Sequence, residues 1–184
     1  MKLTYLNQEE IHPNPNVVEA LKFIDNNINK EKKLKVLDIG AADGKDSFFL
    51  AKQGFDISAI DTSSYFIHKI NQLARIHNVE IRSTVANALT YNFEDYNIII
   101  CNNVLHFLQS DQIKFLIKKI QYHTLPKGLI IISYINNDIL KNLNIEELFK
   151  DWEILYYNEN LFSSSNKKKV KKFIEFIAKK KEVL

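Results

Sequence analysis

Carboxylates and glycines are concentrated in one short stretch of the sequence, which reads Val-Leu-Asp-Ile-Gly-Ala-Ala-Asp-Gly from Val36 to Gly44. A further carboxylate, Asp61, ends a separate apolar run some way downstream of Asp38. An acid at that distance from a glycine turn is placed to accept hydrogen bonds from the two hydroxyls of a ribose. This combination predicts a binding site for a cofactor that carries a nucleoside.

Hydrophobic patterning shows which elements must position these groups. Leu34–Ile39 is a short apolar run with β-branched residues, which predicts a buried strand. The glycine turn then enters a predicted helix, Lys45–Gln53, and a second predicted strand, Asp56–Ile60, leads into Asp61. Strand, glycine turn and helix in this order form the first crossover of a doubly wound α/β sheet, where the ligand crevice lies.

The charge of the turn indicates the kind of cofactor. A dinucleotide site has the pattern Gly-x-Gly-x-x-Gly, whose bare amides face a pyrophosphate. Here the pattern is Asp38-x-Gly40-x-Ala42-x-Gly44, with Asp43 also in the turn. Two carboxylates would repel a pyrophosphate, whereas they suit S-adenosylmethionine, which carries an ammonium, a sulfonium and a ribose. A glycine turn in some other α/β domain is the alternative interpretation.

With Asp61, the stretch Val36–Gly44 resembles motif I and its acidic follower in class I S-adenosylmethionine-dependent methyltransferases, although Ala42 stands where many members have glycine. In this family an acid or amide after the third strand meets the adenine, and the end of the fourth strand lies beside the reactive methyl group. The resemblance implies cofactor contacts from the following residues: Asp38, Gly40, Ala41, Gly44, Asp61, Thr62, Asn87, Ala88 and Asn102. For Asn87, a simple turn residue is the alternative.

The rest of the chain supplies further elements of such a sheet. Helical spacing predicts helices over Asn16–Asn27 (with Asn16 as N-cap), Ser63–His77 and Asp111–His123, and a short helical patch over Ile145–Phe149. Further strands are predicted over Glu80–Val85, Asn97–Cys101, Leu129–Ser133 (after a turn at residues 126–128) and Trp152–Tyr157. The segment from Val170 to Ala178 fits both periods, and the family's antiparallel final strand favours a strand. The predicted fold is therefore α/β: a doubly wound, Rossmann-like, seven-stranded and mostly parallel sheet with helices on both faces and an antiparallel final strand.

The resemblance narrows to the TehB-type tellurite-resistance methyltransferases. It rests on His12 with Val17–Ala20, Phe48–Ala51 with Gly54–Asp56, Val104–Leu108, and Trp152-Glu153 followed by Tyr157–Glu159. Members of that branch methylate soft chalcogen anions. One departure concerns residues 161–166, which contain no histidine or arginine, whereas the branch carries both at this place. Tellurite is therefore disfavoured as the substrate.

The expected reaction is a direct displacement at an activated methyl group, for which the protein supplies proximity, alignment and a dry pocket. A thiol with a pKa near ~8.5 needs little help from a base. His106 and His12 are the candidate bases, with packing at a strand end and an exposed loop as their respective alternatives. No group of Cys, His and carboxylates has the spacing of metal ligands, and Cys101 is expected to be a small core residue.

Size and charge limit the partners. The 184 residues predict one domain, with an N-terminal flap over residues 1–15 and a last strand and basic tail over residues 167–184. Short covering segments around the crevice favour a small-molecule acceptor, namely a thiol or a chalcogen oxyanion. The net charge of +3 comes from the tail, so the remainder is acidic and nucleic acid is disfavoured. One cysteine and no membrane-length apolar run predict a cytoplasmic protein, and no particular oligomeric state is favoured.

Two other classes of function stay open at this point. A catalytically silent cofactor-binding or scaffold subunit would bind the cofactor without turnover and copurify with a partner. An RNA-directed methyltransferase would use the C-terminal lysines as phosphate contacts, and its RNA binding would depend steeply on salt.

Overall fold

The computed structural model describes residues 12–24, 33–163 and 170–182. The five α-helices within these ranges are α1 (Pro15–Ala20), α2 (Lys45–Lys52), α3 (Ser64–Ile76), α4 (Ser110–His123) and α5 (Ile145–Leu148). The seven strands are β1 (Lys35–Ile39), β2 (Asp56–Asp61), β3 (Ile81–Val85), β4 (Tyr96–Asn102), β5 (Thr124–Ile135), β6 (Glu153–Ser163) and β7 (Val170–Lys179). Short 3-10 turns cover Leu21–Phe23 and Leu105–Phe107. Most of the predicted flap, the end of the first predicted helix and parts of the tail lie outside the described residues.

All seven strands form a single sheet in the order β3-β2-β1-β4-β5-β7-β6. Strands β1 to β5 pair in parallel, and β7 runs antiparallel to both of its neighbours. The predicted fold class, including the antiparallel final strand, is therefore confirmed. The strand order reverses between β1 and β4, and in a doubly wound sheet a ligand binds outside the carboxyl ends of the strands at this point.

Helices cover both faces of the sheet. On one face Val17 of α1 and Leu50 of α2 pack with apolar residues of β1, β2, β4 and β5, and α3 packs through Ile67 and Ile70 on Ala59 of β2. On the other face α4 and α5 pack on the alternate residues of the central strands. Ile98–Ile100 of β4 are at most 3% exposed, as expected for a strand that is covered on both sides.

Three predicted local features differ in the structure. Asn14, and not Asn16, occupies the N-cap position of α1, because Pro15 begins the helix and its fixed φ suits that place. Residues 126–128, predicted as a turn before the strand, lie inside β5, whose register against β4 shifts there. Strand β6 extends to Ser163 because it pairs with β7 over its whole length.

Candidate active site

A cleft of about 720 Å³ lies at the carboxyl ends of β1, β2 and β4, where the strand order reverses. Four segments supply most of its wall: Asp38–Asp43, Ile60–Ser63, Ala86–Leu89 and Asn102–Val104. A volume of this size is within the ordinary range for small-molecule sites. Eight of the predicted site residues line this cleft, namely Asp38, Gly40, Ala41, Asp61, Thr62, Asn87, Ala88 and Asn102.

The glycine turn is held in a single shape by backbone contacts. Gly40 has a φ of 68°, and its amide donates to the carbonyl of Ile60 at 2.8 Å. A Cβ atom on Gly40 would lie 2.5 Å from Cγ2 of Val104, so the position requires glycine for space as well as for its φ. Gly44 is buried at the N-cap of α2, where it packs against Ile70 and does not line the cleft.

The Asp61 carboxylate is oriented by two backbone amides. One oxygen accepts from the amide of Ala42 at 2.9 Å, and the other accepts from the amide of Ser63 at 2.8 Å. An ionised carboxylate offers about four lone-pair directions, so each oxygen can accept one more hydrogen bond. The side chain is partly exposed at the cleft wall. This geometry is suited to a ligand with two adjacent hydroxyls.

Asp46 forms a hydrogen-bond network that the sequence did not indicate. Its carboxylate accepts from the backbone and side-chain amides of Asn14, both at 2.7 Å, and from the side chain of Asn102 at 3.0 Å. Asn102 and Asn16 also exchange two hydrogen bonds, at 2.8 and 3.2 Å. The network joins the start of α1, the first turn of α2 and the end of β4 at one edge of the cleft. No spacing rule could have found it, because the three segments are distant in sequence.

Asp38 is a buried carboxylate at the base of the cleft. It is 3% exposed, and one of its oxygens accepts from the hydroxyl of Ser47 at 2.6 Å. Burial raises the pKa of Asp38 to about 7, and the nearby charge of Asp46 adds to this shift. A cation in the cleft would favour the ionised form of Asp38.

Asn87 and Ala88 lie at the end of the cleft next to β3. The side-chain oxygen of Asn87 accepts from the amide of Leu89 at 2.9 Å, which fixes the loop. The ammonium of Lys119 donates to the carbonyl of Ala88 at 3.0 Å from behind the same loop. Asn87 is exposed and lines the cleft.

The structure does not bring the two candidate bases to the cleft wall. His12 is exposed and lies outside the lining. His106 lies in the 3-10 turn after β4, and its ring packs on Phe107 at a centroid distance of 4.2 Å. Its Nδ1 atom is buried with no hydrogen-bond partner among the described residues, and burial lowers the pKa of His106. Phe107 lines the cleft and His106 does not, so His106 packs behind Phe107 and does not contact the cleft directly.

The cleft has an acidic lining. Four aspartates (residues 38, 43, 46 and 61) and one lysine (Lys45) belong to it. Within the described part of the chain, no group of three or more His, Cys, Asp and Glu side chains is arranged to hold a metal ion. Cys101 is fully buried in β4, and its pKa is raised to about 12 by this burial, so it is an inert core residue. The lining therefore favours a cationic organic ligand over a pyrophosphate.

Comparison with known proteins gives a consistent set of relatives. The family model described as "Tellurite resistance protein TehB" matches residues 5–174. The chain is 30% identical to the probable S-adenosyl-L-methionine-dependent methyltransferase TehB of Haemophilus influenzae, over 90% of this chain and 61% of that protein. It is 32% identical to the ubiquinone biosynthesis O-methyltransferase of Rickettsia canadensis, over 63% of this chain and 49% of that protein.

Solved structures agree with the sequence matches. The crystal structure of TehB from Haemophilus influenzae superposes with a TM-score of 0.76 at 26% identity, covering 90% of this chain and 62% of that chain. The magnesium protoporphyrin IX methyltransferase of Synechocystis, solved with bound SAM, shares the fold with a TM-score of 0.66 at 16% identity; 89% of this chain and 74% of that chain are covered. The chain spans about three-fifths of the length of the TehB relatives. None of the described helices is long and apolar enough to cross a membrane.

Proposed function

Because the chain belongs to the TehB family of tellurite-resistance proteins, we propose that it is an S-adenosylmethionine-dependent methyltransferase that acts on a small molecule. The observation that carries this proposal is the Asp61 carboxylate, which two backbone amides orient into a cleft whose charged residues are four aspartates and one lysine. Its named relatives in Haemophilus and Rickettsia are methyltransferases, which supports the same activity.

The residues of the cleft fit S-adenosylmethionine in shape and charge. Asp61 is oriented for the two ribose hydroxyls, and Asn87 offers an amide to the adenine at the next strand end. Gly40 and Val104 both line the cleft, and a Cβ on Gly40 would overlap Val104, so the turn beside β1 keeps this shape only with glycine. Asp38 and Asp46 provide negative potential near the end of β4, which suits an ammonium and a sulfonium. Bound there, S-adenosylmethionine supplies a methyl group that is already activated for displacement.

The contribution of this chain to the reaction is position and exclusion of water. Phe107 of the 3-10 turn and Leu108 directly after it, together with Val104, form an apolar wall beyond Asn102 at the end of β4. The network of Asp46 holds Asn14 in the lining beside Asn102. An acceptor that is held against the apolar wall is aligned and desolvated, which accounts for much of the rate of a direct displacement.

We further propose a thiol as the acceptor. The described lining contains no histidine and only one cation, Lys45, so the cleft offers little to a chalcogen oxyanion. A thiol with a pKa near ~8.5 ionises enough in water to react without a protein base. The candidate roles of His106 and His12 as bases stay predictions. Because neither histidine belongs to the lining, we infer that the protein positions the acceptor and does not deprotonate it.

A cytoplasmic location also stays a prediction, which cell fractionation tests.

Cofactor binding is tested by isothermal titration with S-adenosylhomocysteine on the parent and on two variants. Asp61→Asn removes the charge that faces the ribose, and we expect binding at least about tenfold weaker, which is the loss of one hydrogen bond to a charged group. Asp56→Asn is the matched control, because Asp56 begins the same strand and pairs with Arg82 at 2.6 Å, away from the cleft. Equal affinities for the two variants would contradict the assignment of Asp61.

Turnover is tested by transfer of labelled methyl to small thiols, selenite, tellurite and a bulk RNA preparation. Methylation of thiols supports the proposed acceptor. Methylation of selenite or tellurite alone would overturn the thiol assignment and keep the enzyme class. Tight binding of S-adenosylhomocysteine with no product from any acceptor would favour the scaffold alternative, and activity confined to RNA would favour an RNA-directed enzyme.

A further inference from the structure

A second cavity of about 320 Å³ lies on the α4 and α5 face of the sheet and shares no lining residue with the cleft. Three strands and the residue after β5 form its floor: Tyr134 of β5 with Asn136 just beyond its end, Lys172 and Ile174 of β7, and Tyr157 and Glu159 of β6. The segment that enters α5, residues 141–146, forms its roof. The lining is dominated by amides, hydroxyls and charged groups, so the cavity is suited to a polar ligand.

One buried polar atom in this lining lacks a hydrogen-bond partner. The amide oxygen of Asn136 is buried and has no partner within the described ranges. Tyr134, which is 2% exposed, lines the same cavity. Buried polar groups are nearly always paired in folded proteins, because an unpaired one keeps its full desolvation cost. A buried acceptor without a partner in a cavity points to a ligand that donates a hydrogen bond.

The charges around the cavity show the sign of that ligand. Lys172 pairs with Glu159 at 2.6 Å, and Lys141 lies 3.8 Å from Asp138, so both lysines have an acidic partner. Glu146 forms no salt bridge with any described residue, which leaves one uncompensated carboxylate at the rim. Burial raises the pKa of Tyr157 and of Tyr134, and the charges of Glu159 and Glu146 add to both shifts. The carboxylate of Glu146, which has no salt-bridge partner among the described residues, therefore favours a ligand with a positive charge.

We propose that this second cavity binds a small organic ammonium compound, with Glu146 as the counter-ion, the hydroxyl of Tyr134 and the amide of Asn136 as hydrogen-bond partners, and the ring of Tyr157 as an aromatic wall. Aromatic rings attract ammonium groups through their negative faces, and a carboxylate beside them adds direct charge attraction. The site is separate from the cleft, so its occupancy does not depend on the proposed methyltransferase activity. Asn137, next to Asn136, donates to the carbonyl of His106 at 3.2 Å, which joins this cavity to the turn that carries Phe107.

The test is a titration of the full chain with ethylammonium chloride, followed through the side-chain amide signals of Asn136, Asn142 and Asn144 in NMR spectra. Propan-1-ol serves as the neutral analogue and sodium acetate as the anion of similar size. We expect saturable shifts of these signals with ethylammonium and none with the other two. The same shifts should appear when S-adenosylhomocysteine saturates the cleft.

Two variants separate the carboxylate from its neighbours. Glu146→Gln removes the unpaired charge and should weaken ethylammonium binding about fivefold, as expected for a charge contact at a wet rim. Glu147→Gln is the matched control, because Glu147 is the adjacent residue and pairs with Lys150 at 3.0 Å outside the cavity; its affinity should equal that of the parent. Absence of saturable shifts, equal shifts with acetate, or unchanged affinity in Glu146→Gln would each overturn the proposal.

Discussion

The buried carboxylate of Asp38 predicts that the protein loses stability as the pH rises towards neutrality. Burial, together with the charge of Asp46, raises the pKa of Asp38 to about 7 from its ordinary value of 3.8. Between these two values the folded protein holds a proton that the unfolded chain releases. The free energy of unfolding therefore decreases as the pH rises through this window, and the stabilisation is complete only below pH 3.8.

The size of the effect follows from the two pKa values of Asp38. Each pH unit over which one proton separates the folded from the unfolded state changes the free energy of unfolding by about 1.36 kcal/mol. Between pH 5 and pH 8, Asp38 alone makes the protein less stable by about 2–3 kcal/mol, and most of this change lies below pH 7. His106 changes the stability in the opposite direction. Its pKa is lowered in the folded state, so the unfolded chain binds a proton more readily and the free energy of unfolding decreases as the pH falls.

The assay is urea unfolding at pH 5 and pH 8 for the parent, Asp38→Asn and Asp111→Asn. Asn at position 38 resembles the protonated acid and can still accept from Ser47, so we expect the pH difference to shrink by about 2–3 kcal/mol. Asp111 is exposed in the first turn of α4, and its variant should keep the difference of the parent. An Asp38→Asn protein with the same pH dependence as the parent would refute this reasoning.

Two further substitutions test the geometry of the cleft. Asp46→Ala removes three hydrogen bonds and leaves their donors partly buried and unpaired. The free energy of unfolding, measured with urea, should therefore fall by about 2–4 kcal/mol. The control Asp111→Ala should lower it by less than about 0.5 kcal/mol. Gly40→Ala combines a φ of 68° with a Cβ contact of 2.5 Å to Val104, whereas Gly54→Ala has a φ of 91° and no atom within 4 Å. Thermal unfolding should show Gly40→Ala to be the less stable of the two variants by about 1–3 kcal/mol. Only Gly40→Ala should bind S-adenosylhomocysteine more weakly than the parent in titration. Equal losses of stability in the two variants would exclude the contact with Val104 as the cause.

Local patterns of the sequence were sufficient for the core of the fold. β-Branched and apolar runs predicted β1 to β5 within a few residues of their bounds, except where β5 begins earlier. For β1, β2, β4 and β5 the reason is that a strand covered on both faces admits few polar residues. The amphipathic periods of α3 and α4 were equally clear. The segment of β7 was undecided by its own pattern, since both periods fit, and only the family resemblance favoured a strand.

What the sequence determined by itself about the site is the glycine turn with Asp61, because a ligand-binding turn at a strand end needs particular residues at fixed local spacing. Asp38, Gly40 and Asp61 were predicted on that ground, and they meet at the cleft. The tertiary structure alone decided the rest. The Asp46 network joins Asn14, Asn16 and Asn102 across three segments, and the second cavity gathers Tyr134, Tyr157 and Glu146 from two strands and the start of α5. Such groups share no period or motif, since their proximity comes only from the order of the strands and the packing of helices upon them.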